Sequence, residues 1–173
     1  MEERILIPLD GSEAGEVVLP KVEKLVLDAT PRMDAEITLL KVLSKMNFNM
    51  LTDNEAAQLP RSEEEVKQLT GEGQSYLEKV AERFRSKGIK VKTMVTFGSA
   101  ANEIVRVARE SKVHLIAMSS ANHSGLVQWA IGSTTDRVMR LEGSIPIMTI
   151  SPSKKGEKIA ASLDSLKKAT KTT

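Results

Sequence analysis

Three stretches of the chain place polar or small side chains where an aliphatic run stops, and each has the makings of a phosphate or sugar contact. Asp10-Gly11-Ser12 closes the run Ile5–Leu9. Ser119-Ser120-Ala121-Asn122-His123-Ser124-Gly125 closes the run His114–Met118 and leads on to Gly132-Ser133-Thr134-Thr135. A glycine and hydroxyl residues at the start of a helix form a natural anion seat. The first backbone amides there lack intrahelical partners and lie at the positive end of the helix dipole. Gly132 lets the backbone approach a phosphate closely, and the Ser133 and Thr134 hydroxyls can donate to its oxygens. Asp10 can hold a ribose hydroxyl, or a phosphate indirectly through a magnesium ion. Each stretch also has an ordinary reading, with Ser133 a plain helix N-cap and Asp10-Gly11 a plain turn.

Other chemistries find little purchase. The chain has no cysteine, which excludes disulfides, zinc-thiolate sites and thiol catalysis, and fits a reducing compartment. No Gly-x4-Gly-Lys-(Ser/Thr) loop is present, so a P-loop NTPase is excluded. His114 and His123 are the two histidines, and neither has a carboxylate partner at metal-ligand spacing. Trp129 reads first as core packing and second as an adenine-stacking ring. Met46 and Met50 either line a cleft or pack beneath it. No general base, nucleophile or metal cluster is placed together, so the expectation is a protein that is not an enzyme, slow ATP hydrolysis having no residue to support it.

The elements that must position these residues follow from the aliphatic runs. Ile5–Leu9, Ile37–Leu43, Val91–Phe97, His114–Met118 and Ile145–Ile150 lack clean alternation, as strands buried on both faces do. Helical segments lie between them. Glu13–Leu27 carries Val18, Val22, Leu25 and Val26 on one stripe, with Pro20 as its kink or true start. Ser62 and Glu65 make a capping box ahead of a long helix with Val66, Leu69, Leu77, Val80 and Phe84 facing inward; Gly71 and Gly73 weaken its first half. Ser99 caps a helix carrying Ile104, Val107 and Ala108, and a last helix begins near Gly132-Ser133, carries Val138 and Leu141 and stops at Gly143. Alternating strands and helices predict an α/β fold with a parallel sheet and right-handed crossovers. Leu43 to Arg61 reads as a functional flap or a mobile loop. Pro8 conflicts mildly with a buried strand, softened by its place near the end of the run.

Domain organisation follows from composition. Residues 1–152 form one α/β domain, and 153–173 a Lys-rich tail, flexible or a short helix through Ile159, Leu163 and Leu166. The tail holds six lysines against Glu157 and Asp164, whereas the body carries 19 basic and 21 acidic residues. The net charge of +2 therefore describes the tail and gives no nucleic-acid-binding face. No apolar run approaches the roughly 20 residues of a membrane span. The charged residues Glu2, Glu3 and Arg4 ahead of the first strand leave no room for a signal peptide, so a cytoplasmic location is expected.

The motifs together resemble the universal stress protein family. Ile5-Leu-Ile-Pro-Leu-Asp-Gly-Ser12 is similar to the family's first strand, and Gly98 through Ile104 to its third strand-to-helix turn. Leu115-Ile-Ala-Met118, Ser124-Gly-Leu126, Gly132-Ser133 and Pro146-Ile-Met-Thr-Ile150 match its closing pattern in order and spacing, over residues 2 to 152. The resemblance implies a doubly wound, five-stranded parallel sheet in the order 3-2-1-4-5, with helices on both faces, and a homodimer through the last strand, Ile145–Ile150. It implies an adenine nucleotide, ATP or AMP, with magnesium as an indirect contact of Asp10. The matching positions are Pro8, Leu9, Asp10, Val42, Met118, Ser119, Asn122, Gly125, Gly132, Ser133 and Thr134. The family's ATP-binding members carry Gly-x2-Gly-x9-Gly-(Ser/Thr), and this chain reads Ser119-x2-Asn122-x9-Gly132-Ser133. Asn122 can keep a left-handed loop conformation; Ser119 adds either a hydrogen bond or an obstruction. The implied function is a stress-response module acting through nucleotide-dependent ordering of loops 44–61 and 119–131, through dimerisation and through an unknown protein partner. The alternative is a nucleotide-free dimeric interaction protein of the same fold.

Overall fold

The computed structural model describes residues 2–29, 34–44, 46–50, 56–60, 62–120 and 133–151, with 46–50, 56–60 and Ser133 described by their backbone alone. The tail, Asn122, His123, Gly125, Trp129 and Gly132 lie outside the described residues. The elements, in chain order, are β1 (Glu3–Pro8), α1 (Glu13–Glu16), α2 (Leu19–Asp28), β2 (Ala35–Leu43), β3 (Met46–Met50), β4 (Ala56–Pro60), α3 (Glu63–Arg85), β5 (Lys90–Phe97), α4 (Ala100–Glu110), β6 (Leu115–Ser119), α5 (Ser133–Leu141) and β7 (Ile147–Ile150).

β1, β2, β5, β6 and β7 form a five-stranded parallel sheet in the order β5-β2-β1-β6-β7. With the sheet strands counted one to five along the chain, this is the expected order 3-2-1-4-5. The aliphatic strands feed two cores, one on each face. One holds Ile5, Ile7, Ile37 and Leu39 against Val18, Val22 and Val26 and against Leu77, Ala81 and Phe84. The other holds Leu6, Leu40, Ile116 and Met118 against Ile104, Val107 and Ala108 of α4 and Val138 of α5. The central strands need apolar residues on both sides, which is why β1 and β2 lack alternation. β5 lies at the sheet's edge, and its exposure alternates through Lys90, Lys92 and Met94.

Local chemistry explains the helix boundaries. Pro20 sits in the first turn of α2, where its missing N–H costs nothing, so Glu13–Leu27 becomes two helices. Leu19, Val22 and Val26 turn inward, leaving Leu25 at 40% exposure, off the stripe expected for it. Ser62 opens α3 with the reciprocal capping box. Val66, Leu69 and Val80 are half-buried, beside the fully buried Leu77 and Phe84. Ser99 occupies the N-cap of α4, but its side chain makes no capping bond. On α5 Val138 is buried, whereas Leu141, expected to face inward, is 45% exposed. The connection from Leu43 to Arg61 contains an antiparallel hairpin in which Met46 stands opposite Pro60 and Met50 opposite Ala56. Pro8 is accommodated because Ile5 and Leu6 stand opposite Leu115 and Ile116 on β6, short of Pro8, while the next amide, Leu9, donates to Leu40 O on β2 at 2.8 Å.

Candidate functional site

The chain winds leftward from β1 through β2 to β5, then returns to the other side of β1 for β6 and β7. Such a reversal opens a crevice beyond the carboxyl ends of the two flanking strands, here β1 and β6. The residues that close these strands and open the next helices therefore converge on one end of the sheet.

On the β1 side, Leu9 is buried and Asp10 is exposed. One carboxylate oxygen of Asp10, Oδ1, accepts the Ser12 amide at 2.9 Å and the Ser12 hydroxyl at 2.7 Å. Ser12 Oγ in turn accepts the Gly15 amide at 3.0 Å and caps α1. The turn needs Gly11, whose φ is +91°, and the close seating of the carboxylate needs Gly15, where a Cβ would lie 2.5 Å from Asp10 Oδ1.

On the β6 side, Met118 is buried and Ser119 half-buried. The Ser119 hydroxyl donates to Ala14 O on α1 at 2.7 Å. Its carbonyl accepts the hydroxyl of Thr135, a buried residue of the first turn of α5, at 3.0 Å. The end of β6 is thus tied both to α1, just past Asp10, and to the start of α5. Ser133 opens α5, and Thr134 is half-buried in its first turn. Asp136, also in that turn, pairs with Arg140 at 2.8 Å, so its charge is offset at the helix start. Val42, near the end of β2, stands opposite Thr96 and packs against the second core.

The structure brings Pro8, Leu9, Asp10, Val42, Met118, Ser119, Ser133 and Thr134 to this one end of the sheet; Asn122, Gly125 and Gly132 fall outside the described residues. His114 precedes β6 at the opposite end, where its Nδ1 lies 2.9 Å from Glu3 Oε2. Among the described residues no group of three or more His, Cys, Asp or Glu side chains is placed to hold a metal ion, and no helix is long and apolar enough to cross a membrane.

Sequence reasoning passed over a second cluster beside Asp10. Lys41 of β2 donates from Nζ to the main-chain carbonyl of Asp10 at 2.7 Å and lies 5.0 Å from the centroid of the Tyr76 ring on α3. The Tyr76 hydroxyl donates to Glu16 Oε1 at 2.7 Å, and burial together with that carboxylate pushes the phenol's pKa up. The available signal was the one charged residue in the stretch Ile37-Thr-Leu-Leu-Lys-Val-Leu43. Glu142 was also overlooked. Its buried carboxylate accepts the amides of Ser144 at 2.9 Å and Ile145 at 3.1 Å and the Arg109 guanidinium at 2.9 Å. Burial alone would raise its pKa; the two amides and Arg109 outweigh burial and hold it below the ordinary carboxylate value. This residue organises the turn into β7.

Comparison with known proteins bears on the family and the fold. A family model described as the universal stress protein family matches residues 1–147. Universal stress protein MJ0531 of Methanocaldococcus jannaschii is 30% identical over 152 residues, covering 88% of this chain and 84% of its own. The solved structure of MJ0577, from the same organism, superposes with a TM-score of 0.65 at 25% identity, over 88% of this chain and 97% of that one. A solved universal stress protein family member from Arabidopsis thaliana, with AMP bound, superposes with a TM-score of 0.59 at 15% identity, over 89% of this chain and 94% of that one, a likeness of fold.

Proposed function

Because the chain belongs to the universal stress protein family, we propose that it is a cytoplasmic regulatory module that takes an adenine nucleotide, ATP or AMP, in the crevice between β1 and β6. The observation that carries this reading is the hydrogen-bonded link from α1 through Ser119 to Thr135, which sets the first turn of α5 beside the crevice that Asp10 borders. In this assignment the backbone at Val42 meets adenine, and Pro8, Leu9 and Asp10 border the ribose. Met118, Ser119, Asn122 and Gly125 line the crevice, while Gly132, Ser133 and Thr134 receive the phosphates. Magnesium, where present, is reached by Asp10 indirectly. Occupancy alters the surface presented by segments 44–61 and 119–131 to a protein partner, and the chain pairs as a homodimer through Ile145–Ile150. No reaction is assigned to the site.

One observation favours a second reading, a nucleotide-free dimeric module of the same fold. Ser119 stands where nucleotide-binding relatives are implied to have glycine, and its hydroxyl and Asp10 Oδ1 both bond to neighbouring protein groups. Titration calorimetry and thermal melting with ATP and AMP, with and without magnesium, separate the two. Nucleotide at a hundredfold excess over its dissociation constant stabilises the folded state by about 2.7 kcal/mol. The Gly132→Asp variant, which puts a negative charge at the phosphate seat, abolishes that gain. Absence of heat and of any melting shift at millimolar nucleotide leaves the second reading. Hydrolysis surviving unchanged in Asp10→Ala would belong to a contaminant.

A further inference from the structure

We propose that Lys41 is a positioning residue for this cleft, holding the Asp10–Gly11 turn from beneath through the Asp10 carbonyl without touching the ligand. For its ligand arm the inference rests on the nucleotide reading above. Three elements meet at the Lys41 ammonium. Its stem leaves β2 under α3 at the point where that helix has a glycine: a Cβ on Gly73 would lie 3.3 Å from Lys41 Cδ and 3.3 Å from Val95 Cγ2. Its head ends under the turn where the chain has a second glycine, a Cβ on Gly11 lying 3.1 Å from Lys41 Nζ. There Nζ donates to Asp10 O at 2.7 Å, with the Tyr76 ring 5.0 Å away. Tyr76 itself ties α3 to α1 through Glu16 at 2.7 Å.

The consequence follows from the peptide plane. The C=O of Asp10 and the N–H of Gly11 belong to one rigid trans unit and point in opposite directions. A cation holding the carbonyl therefore aims the Gly11 amide away from Lys41 and α3. The side chain of Asp10 is fixed separately, at Oδ1, by the Ser12 amide and hydroxyl. Both ends of this residue are thus set before a ligand arrives, the side chain by its own turn and the main chain by Lys41. Preorganisation of this kind lowers the ordering cost of binding. Because the ammonium lies over a ring of α3 and against its Gly73, the seating of α3 bears directly on the turn.

The test uses the full chain with Lys41→Met, which keeps the apolar stem and removes the donor, and Lys41→Arg, which keeps a cationic donor. Adenosine, AMP and ATP are titrated into each. A positioning role weakens all three by the same factor, about tenfold for one charge-assisted hydrogen bond, and Lys41→Arg restores most of it. A loss much larger for ATP than for adenosine would mean that Lys41 meets the phosphates, and would overturn the proposal. Unchanged affinities with a lowered melting temperature would reduce Lys41 to packing and also overturn it. If the wild-type chain binds none of the three probes, the nucleotide reading fails, and hydrogen exchange still decides the positioning claim. The amides of Ser12, Gly15 and Glu16 then exchange about tenfold faster in Lys41→Met, with the Leu39 amide in the core of β2 unchanged. Equal rates at those three amides would refute it. Should methionine at 41 unfold the domain, Lys41→Gln, a neutral N–H donor, enters the same comparisons, with weakened binding or faster exchange expected and wild-type behaviour counting against a role for the charge.

Discussion

Replacing Ser119 by glycine and by alanine separates what its hydroxyl contributes to the fold from what its β-carbon denies to a ligand. Both variants lose the 2.7 Å bond from Ser119 Oγ to Ala14 O, worth about 0.5–1.5 kcal/mol. Neither touches the 3.0 Å bond from Thr135 to the Ser119 carbonyl, so α5 stays in place. Glycine adds the entropic cost of a freer backbone at a strand end, about 0.5–1 kcal/mol relative to alanine. For a domain of this size each kcal/mol moves the melting temperature by about 2–4 °C. The alanine variant should therefore melt about 3 °C and the glycine variant about 5 °C below the wild type. Affinity should move the other way, and for one variant alone. Ser119→Gly removes the β-carbon and admits a phosphate or ribose to the backbone, a gain of about five- to tenfold, or 1–1.4 kcal/mol. Ser119→Ala keeps the β-carbon and binds as the wild type does. Melting curves and calorimetric titration with ATP and AMP supply both numbers. Equal nucleotide affinity in the two variants would refute the reasoning, because the side chain at 119 would then not be what limits approach.

Two further expectations concern the other end of the last helix and the strand after it. Glu142→Ala strips acceptors from the Ser144 and Ile145 amides and from Arg109 and should cost about 3 kcal/mol. Glu142→Gln can keep both amides on its oxygen and loses chiefly the pairing with Arg109, whose side chain is 59% exposed, so about 1 kcal/mol is expected in urea unfolding. The folded pKa of Glu142 lies below its ordinary 4.5, so its contribution is fully present above that pH and is lost as pH falls through the lower folded value. Acid unfolding midpoints should therefore shift upward in Glu142→Ala. On β7, Pro146 O and Ile150 O accept amides of Ile116 and Ser120 on the β6 side, so the N–H groups of Ile147 and Thr149 point to the sheet's outer edge. If the chain pairs through β7 as proposed, Thr149→Pro, which removes an outward donor without touching the β6 ladder, should reduce the mass seen by light scattering from dimer to monomer with the helical circular dichroism retained. A dimeric mass unchanged by the substitution, or a monomeric wild type, would overturn pairing through β7.

Much of the fold was legible because its signals are local. The Ser62–Glu65 capping box and Pro20 mark helix starts through bonds made or forgone within one turn, and both lie where the sequence places them. Strand neighbours are a different matter. Periodicity marks a strand's faces but not the strand beside it, so the order β5-β2-β1-β6-β7 was expected from family resemblance alone. The hairpin was missed although its first strand, Met46-Asn-Phe-Asn-Met50, alternates apolar and polar residues and Thr52-Asp53-Asn54 follows as a turn signal, because the second strand, Ala56-Ala-Gln-Leu-Pro60, has no β-branched or aromatic residue and ends in proline. Leu25 and Leu141 were misplaced for a related reason. An apolar residue on a helix stripe turns inward only where a neighbouring element covers it, and coverage is tertiary. The ends of the site, Asp10 and Ser119, were visible as polar stops on aliphatic runs. Lys41 was not, since a cation within a strand reads as a solvated position until Gly11, Gly73 and Tyr76 are known to surround it.

The bonds around Asp10 constrain how any ligand can use the crevice. A ribose hydroxyl that takes Asp10 Oδ1 must displace or share the amide and hydroxyl of Ser12. Ser12 is also the cap of α1 through the Gly15 amide, so that exchange acts on the helix start directly. The same short helix carries the Ala14 carbonyl that holds Ser119 and the Glu16 carboxylate that holds Tyr76. An event at one carboxylate oxygen therefore reaches β6 through Ala14 and α3 through Glu16, each within a few bonds. A ligand that leaves Oδ1 alone and meets only the amides of α5 reaches α1 by a longer route, through Thr135 and Ser119 to the Ala14 carbonyl. Contact at Asp10 Oδ1 is therefore the shorter route by which binding in the proposed site would reach the α3 face of the molecule.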